Sequence, residues 1–177
     1  MQPNDNVHGF IVKAVTPVPS LRMTAVELEH ERSGARMLHL HADDAENLVS
    51  ISFRTPPPDD TGLPHILEHA ALAGSKRYPV RDPFFEMLSM SMATFLNAMT
   101  GSDATYYPVA SNVKKDLFNL AEVYFDAVFH PLLTEHTFKR EGYHLAPVDP
   151  ANPTGELTFT GIVFNEMKGA FSDPEAR

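Results

Sequence analysis

The sequence predicts an α+β fold. Three observations predict it. The first sixty residues break into runs with strand-like alternation, the remainder carries mostly helical patterns, and the two kinds of element do not alternate as a doubly wound sheet requires. The run "GFIVKAVTPV" reads as a first strand. "RMTAVELEHE" and "RMLHLHA" alternate apolar and polar positions on either side of "RSGA", which predicts a hairpin with Gly34 in its turn. "NLVSISFRT" reads as a fourth strand, and "PPPDDTG" then breaks the chain.

A helix follows in "GLPHILEHAALAGS". Pro64 suits its first turn, where a missing N–H costs nothing, and Gly74 suits its end. "FFEMLSMSMAT" reads as a short helix whose methionines fill a core. "FLNAMTGSDATYYPVAS" reads as extended chain, either two strands or one bent at Gly101. Ser111 is placed to cap a long helix, "NVKKDLFNLAEVYFDAVFH", in which Leu117, Leu120, Ala121, Tyr124 and Val128 form one apolar stripe and which Pro131 ends. "GYHLAPV" reads as a strand and "GIVFNEMKGAFS" as a final helix.

With 177 residues, 43% of them hydrophobic, the chain is long enough to bury a core as one soluble domain or as part of a larger one. It has no cysteine, which excludes disulfides and thiolate metal ligands and leaves His, Asp and Glu to hold any metal. The net charge of -9 argues against a nucleic-acid partner, and no apolar run has the length of a membrane span. The start "MQPNDNVHGF" lacks the basic and apolar segments of a signal peptide, so a cytoplasmic location is expected, with an organelle or the periplasm left open if the start is processed.

The chemistry concentrates on the first helix. His65 and His69 are four apart and share a face, so both imidazoles can aim at one point. That supplies two ligands for zinc, whose catalytic sites usually have three protein ligands and an open position for water. Glu68 sits between them, too constrained to be the obvious third ligand but placed to take a proton from that water. This is the HExxH arrangement in reversed order. A third ligand is offered by Glu166, which shares a helical face with Ile162, Val163 and Ala170. A carboxylate on an apolar face is costly unless paired or metal-bound. The rival reading of Glu166 is a salt bridge to a lysine or arginine. His39 and His41 resemble a metal pair on one strand face, but read better as a polar face alternating with Leu38 and Leu40.

Taken together, "HILEHAALAGS", "TFLNAMTGSDATYYPVAS" and "GIVFNEMKGAFS" closely resemble the pitrilysin/insulysin superfamily of zinc peptidases, and within it the presequence-protease branch. The resemblance runs over nearly the whole chain. It implies that His65, His69 and Glu166 bind Zn2+ and that Glu68 is the general base. It also implies a pitrilysin/mitochondrial-processing-peptidase-like fold, an antiparallel sheet flanked by helices. It further implies that "FLNAMTG" is a sheet edge on which a peptide substrate is laid, with Asn97 and Ala98 facing it; the rival is an ordinary interior strand. Glu141 in "KREGYH" is implied to lie near the zinc behind its ligands, with a surface glutamate as the rival.

One departure stands out. Members of this branch are several times longer, and an arginine and a tyrosine from a second half assist the reacting carbonyl. No segment here matches that pair. Residues 1–177 are therefore expected to be the N-terminal catalytic domain of a longer multi-domain protease, partnered by its C-terminal half or by a separate chain. The expected activity is zinc-dependent endopeptidase hydrolysis of unfolded peptides, weak in the isolated chain. The alternative is a non-catalytic peptide-binding or assembly domain of the same superfamily, and a zinc hydrolase for small molecules is a third reading.

Overall fold

Alternation in the N-terminal sequence becomes an antiparallel meander. The computed structural model describes residues 1–172. In it β1 (Asn6–Val7), β2 (Phe10–Val18), β3 (Met23–His30) and β4 (Arg36–Ala42) form one four-stranded sheet in chain order. The hairpin between β3 and β4 pairs Glu29 with Arg36 and carries Gly34 at φ +68° in its turn, a conformation glycine adopts without strain. The period of two turns Val12, Val26 and Leu28 into a small core, with Val7, Phe10 and Val15 packed against it. These strands belong to a unit of their own, Met1–Ala45, and a second unit begins at Glu46.

The second unit runs β5 (Asn47–Arg54), α1 (Leu63–Ala71), α2 (Pro83–Met90), β6 (Phe95–Leu96), β7 (Met99–Thr100), β8 (Ala104–Ser111), α3 (Lys114–Phe129), α4 (Glu135–Glu141), β9 (His144–Pro147), β10 (Leu157–Thr160) and α5 (Ile162–Ala170). β8 is the spine of its sheet. It pairs antiparallel with β5 along its whole length, from Asn47 opposite Ser111 to Arg54 opposite Ala104. Its other side takes β6 and β7, two short strands separated at Asn97 and Ala98. The extended segment is thus a broken strand returning through a tight turn, in which Gly101 N–H donates to the Ala104 carbonyl at 2.8 Å. α3 lays Leu120, Tyr124 and Ala127 on Ile51, Tyr107 and Val109, and Ala71 and Leu72 of α1 join the same core. Each buried Leu or Val side chain contributes roughly 1.5–3 kcal/mol relative to exposure, so this cluster anchors α1 to the sheet. The result is the antiparallel α+β arrangement expected.

Several local expectations need correcting. Ser111 ends β8, and Val113 is the cap of α3; the Ser111 hydroxyl accepts from Val113 N–H at 3.1 Å and so still closes the junction. Ala127 is buried in the stripe, and Val128 is only partly buried. Met87 packs on the core, but Met90 and Met92 are exposed. α4 and β10, which pairs antiparallel with the expected strand β9, add to the elements read from sequence. Among the described residues no helix is long and apolar enough to cross a membrane.

Candidate metal centre and active site

α1 presents its chemistry on a firmly seated helix. Gly62 precedes it at φ +74°, Pro64 fills its first turn, and Ile66, Ala70 and Ala71 are buried. Glu68 is also buried, at 5% exposure, while His65 and His69 keep partial access to solvent. Their rings lie edge to face with centroids 4.9 Å apart.

Glu166 reaches this pair from α5. Its Oε1 is 3.6 Å from His65 Nε2 and its Oε2 is 3.5 Å from His69 Nε2. Both distances exceed an ordinary N–H···O hydrogen bond of ~2.7–3.2 Å. Ligand atoms bound tetrahedrally at ~2.0–2.1 Å from one zinc lie roughly 3.4 Å from each other. Both Glu166–histidine separations are thus closer to that spacing than to direct pairing. One potential ligand atom from each of His65, Glu68 and His69 also falls within 4.8 Å of the others, the one such group among the described residues.

Burial is not what brings Glu166 here. Its side chain is 53% exposed, and α5 buries only Val163. The expected cost of a carboxylate on an apolar face does not arise. α5 is placed instead by Gly161, which precedes it. A Cβ at Gly161 would lie 1.9 Å from the Gly142 carbonyl oxygen, so the start of α5 crosses the end of α4 at a distance only glycine permits. Among the described residues, the ion pairs of Glu166 are with the two histidines and with no lysine or arginine.

The end of α4 brings Glu141 to the same place. Glu141 is buried, its Oε2 is 3.3 Å from His69 Nδ1, and its Oε1 accepts from Arg140 Nε at 2.8 Å. Arg140 Nη2 donates in turn to Asp82 Oδ1 at 3.1 Å. A carboxylate on Nδ1 holds the imidazole proton there and turns the Nε2 lone pair toward His65 and Glu166. Arg140 and Asp82 have no signal in the sequence; only the fold turns them inward.

Glu68 is held from its other side. Thr100 Oγ1 donates to Glu68 Oε2 at 2.5 Å. Burial raises the pKa of the Tyr107 and Tyr124 phenols, and the charge of Glu68 raises them further, so both stay protonated. Tyr124 OH donates to the Asn97 carbonyl at 3.1 Å, and Asn97 Oδ1 accepts from Ala98 N–H at 3.0 Å. These bonds fix the break between β6 and β7, which form the outer edge of their sheet among the described residues. Asn97 and Ala98 line the same cavity of about 860 Å³ as His65, Glu68, His69 and Glu166. Phe84 and Phe85 of α2 supply an apolar wall. His39 and His41 are on β4 of the first unit, with ring centroids 6.0 Å apart, and belong to no group of three or more potential metal ligands among the described residues.

The profile of a peptidase family, described as Insulinase (Peptidase family M16), matches residues 52–148, more than half of the chain. This chain belongs to the insulinase family. Members of that family are metallopeptidases. The matched stretch includes His65, Glu68, His69, Asn97, Ala98 and Glu141, while Glu166 lies beyond it. The insulinase-family chain is 54% identical over 173 residues to the mitochondrial presequence protease of Xenopus tropicalis, covering 98% of this chain and 17% of that protein. It is 49% identical over 166 residues to the mitochondrial presequence protease of Saccharomyces cerevisiae, covering 94% of this chain and 17% of that one. The chain thus spans about 17% of the length of these curated relatives. A crystal structure of pitrilysin superposes with a TM-score of 0.62 at 24% identity, over 72% of this chain and 14% of that one, which shows the same fold.

Proposed function

We propose that this insulinase-family chain carries the catalytic centre of a zinc-dependent endopeptidase for unfolded peptides. The observation that supports it most is the Glu166 carboxylate lying 3.6 Å from His65 Nε2 and 3.5 Å from His69 Nε2, beside buried Glu68. Zinc held by those three would supply a Lewis acid for the scissile carbonyl and an acidified water at neutral pH. Glu68 takes the proton of the attacking water and passes it to the leaving amine. Glu141 keeps His69 in the ligating tautomer. The edge formed by β6 and β7 receives the peptide main chain by strand addition, with Asn97 and Ala98 facing it.

The developing oxyanion needs hydrogen-bond donors besides the metal, and loss of one such donor costs ~100–1000-fold in rate. We infer that these donors come from a C-terminal half of the same protease or from a partner chain. Residues 1–177 are then the N-terminal catalytic domain of a longer enzyme, a reading supported by the small share of its relatives that the chain covers. The names of those relatives also supply the substrate class and setting we propose: presequence-type peptides, within an organelle rather than the cytoplasm.

Zinc titration and a quenched-peptide assay test this together. The chain is expected to bind zinc stoichiometrically. Glu68→Gln is expected to keep the metal and lose at least ~100-fold in peptide hydrolysis. Full hydrolysis by Glu68→Gln removes Glu68 as the base. Peptide affinity without zinc binding moves the chain to the class of peptide-binding modules.

A further inference from the structure

Three threonine hydroxyls that the proposed mechanism leaves unused form a line ending on Glu68. Thr55 Oγ1 lies 2.7 Å from Thr105 Oγ1, Thr105 Oγ1 lies 3.3 Å from Thr100 Oγ1, and Thr100 Oγ1 lies 2.5 Å from Glu68 Oε2. They come from two neighbouring strands and the residue after a third. Thr55 directly follows β5, and Thr105 in β8 sits opposite Thr100 in β7. Thr105 is buried at 3% exposure.

The direction of the line next to Glu68 follows from hydroxyl chemistry. An ionised carboxylate only accepts, so the single proton of Thr100 is committed to Glu68. Toward Thr105, 3.3 Å away, Thr100 Oγ1 can then act only as an acceptor, while in the shorter Thr55–Thr105 bond either hydroxyl can donate. Of the two Glu68 oxygens, Oε2 is tied in this way, while Oε1 makes no hydrogen bond among the described residues.

We propose that Thr100 is a positioning residue for Glu68, backed by Thr105 and Thr55. It pins one carboxylate oxygen so that the other is presented to the site between His65 and His69. The inference rests on Glu68 acting as the base. A glutamate has three rotatable side-chain bonds, and a base displaced by about 1 Å can lose ~100-fold in rate. Among the described residues the Thr100 side chain hydrogen-bonds to Glu68 and Thr105 and to none of His65, His69 and Glu166, so its role is separable from metal binding.

Thr100→Val removes the hydroxyl and keeps a β-branched side chain suited to a strand. In the zinc-loaded chain it is expected to lower kcat roughly 10–100-fold with KM and zinc affinity nearly unchanged, and Thr100→Ser is expected to restore most of the rate. Crystal structures of the same two zinc-loaded variants give a readout independent of turnover. The Glu68 carboxylate should rotate away in Thr100→Val and stay in place in Thr100→Ser. Turnover of Thr100→Val within about twofold of the parent overturns the proposal, as does an unmoved carboxylate in both variants, or a serine variant as impaired as the valine one. Glu68→Gln is measured in parallel. If it remains active, the base assignment fails; if it is inactive while Thr100→Val is fully active, only the role of Thr100 fails.

Discussion

α1 and α5 bring the proposed metal donors together in opposite ways. α1 buries Ile66, Ala70 and Ala71 and is tied into the core through Ala71 and Leu72, so the spacing of His65 and His69 is carried by a helix that packing already holds. α5 buries Val163 alone and leaves Glu166 half exposed. Its position comes from the close crossing of Gly161 over Gly142. One half of the site is built into the core, and the other half rests on a helix with one buried residue, a Phe164–Phe159 ring contact at 6.3 Å and the close crossing at Gly161. Metal affinity should therefore be far more sensitive to how α5 is attached than to small changes around α1.

The strongest way to break this contrast is to add one methyl group at Gly161. With a Cβ 1.9 Å from the Gly142 carbonyl oxygen, one of the two backbones must move. Overpacking of this kind costs typically 1–3 kcal/mol, and backbone on backbone should sit near ~3 kcal/mol. Gly161→Ala is expected to lower the unfolding free energy, measured in urea, by that amount and to weaken zinc binding, because Glu166 follows Gly161 by little more than one helical turn. Unchanged stability and zinc affinity in this variant would show that α5 is held some other way.

A smaller effect is expected where the two halves of the contrast meet, at Glu141. This buried carboxylate leaves α4 beside Gly142 yet acts on His69 of α1. Removing a hydrogen-bond partner behind a metal-ligating histidine typically costs ~10–100-fold in metal affinity. Glu141→Gln is expected to fall in that range by competitive zinc titration, with α1 still folded. Equal affinity in parent and variant would mean that packing alone orients the His69 ring.

The same contrast explains what could be read in advance. β2 to β5 appear in the structure nearly as their alternation suggested, because a period of two is a local property. The histidine pair is equally local, since spacing of four puts two side chains on one helical face. Glu166 was singled out on a premise of burial that the structure does not share, because exposure of a short terminal helix depends on what packs against it. Thr100 had no readable signal, since a two-residue strand is too short to alternate. Glu141 was reached through resemblance alone: charged "KRE" looks solvated in any sequence window, and only the fold buries its glutamate. α4 is too short, at seven residues, to show an apolar stripe, although its cap residue, Thr134, was present to be read.

That cap provides the mildest test and the sharpest one for α4. Thr134 Oγ1 accepts from Thr137 N–H at 3.1 Å, satisfying a donor at the start of the helix. The opposite end, which carries Glu141, is held by Gly142 N–H to the Phe138 carbonyl at 2.8 Å and by Arg140 bound to Asp82. Thr134→Ala removes only the first of these and should cost about 1 kcal/mol of stability. Zinc affinity should stay within about threefold of the parent, because the lost bond lies two turns of helix from the carboxylate. If Thr134→Ala instead weakens zinc as much as Glu141→Gln does, the whole of α4 moves as one body. Glu141 would then be positioned from the far end of its helix rather than by the contacts around it.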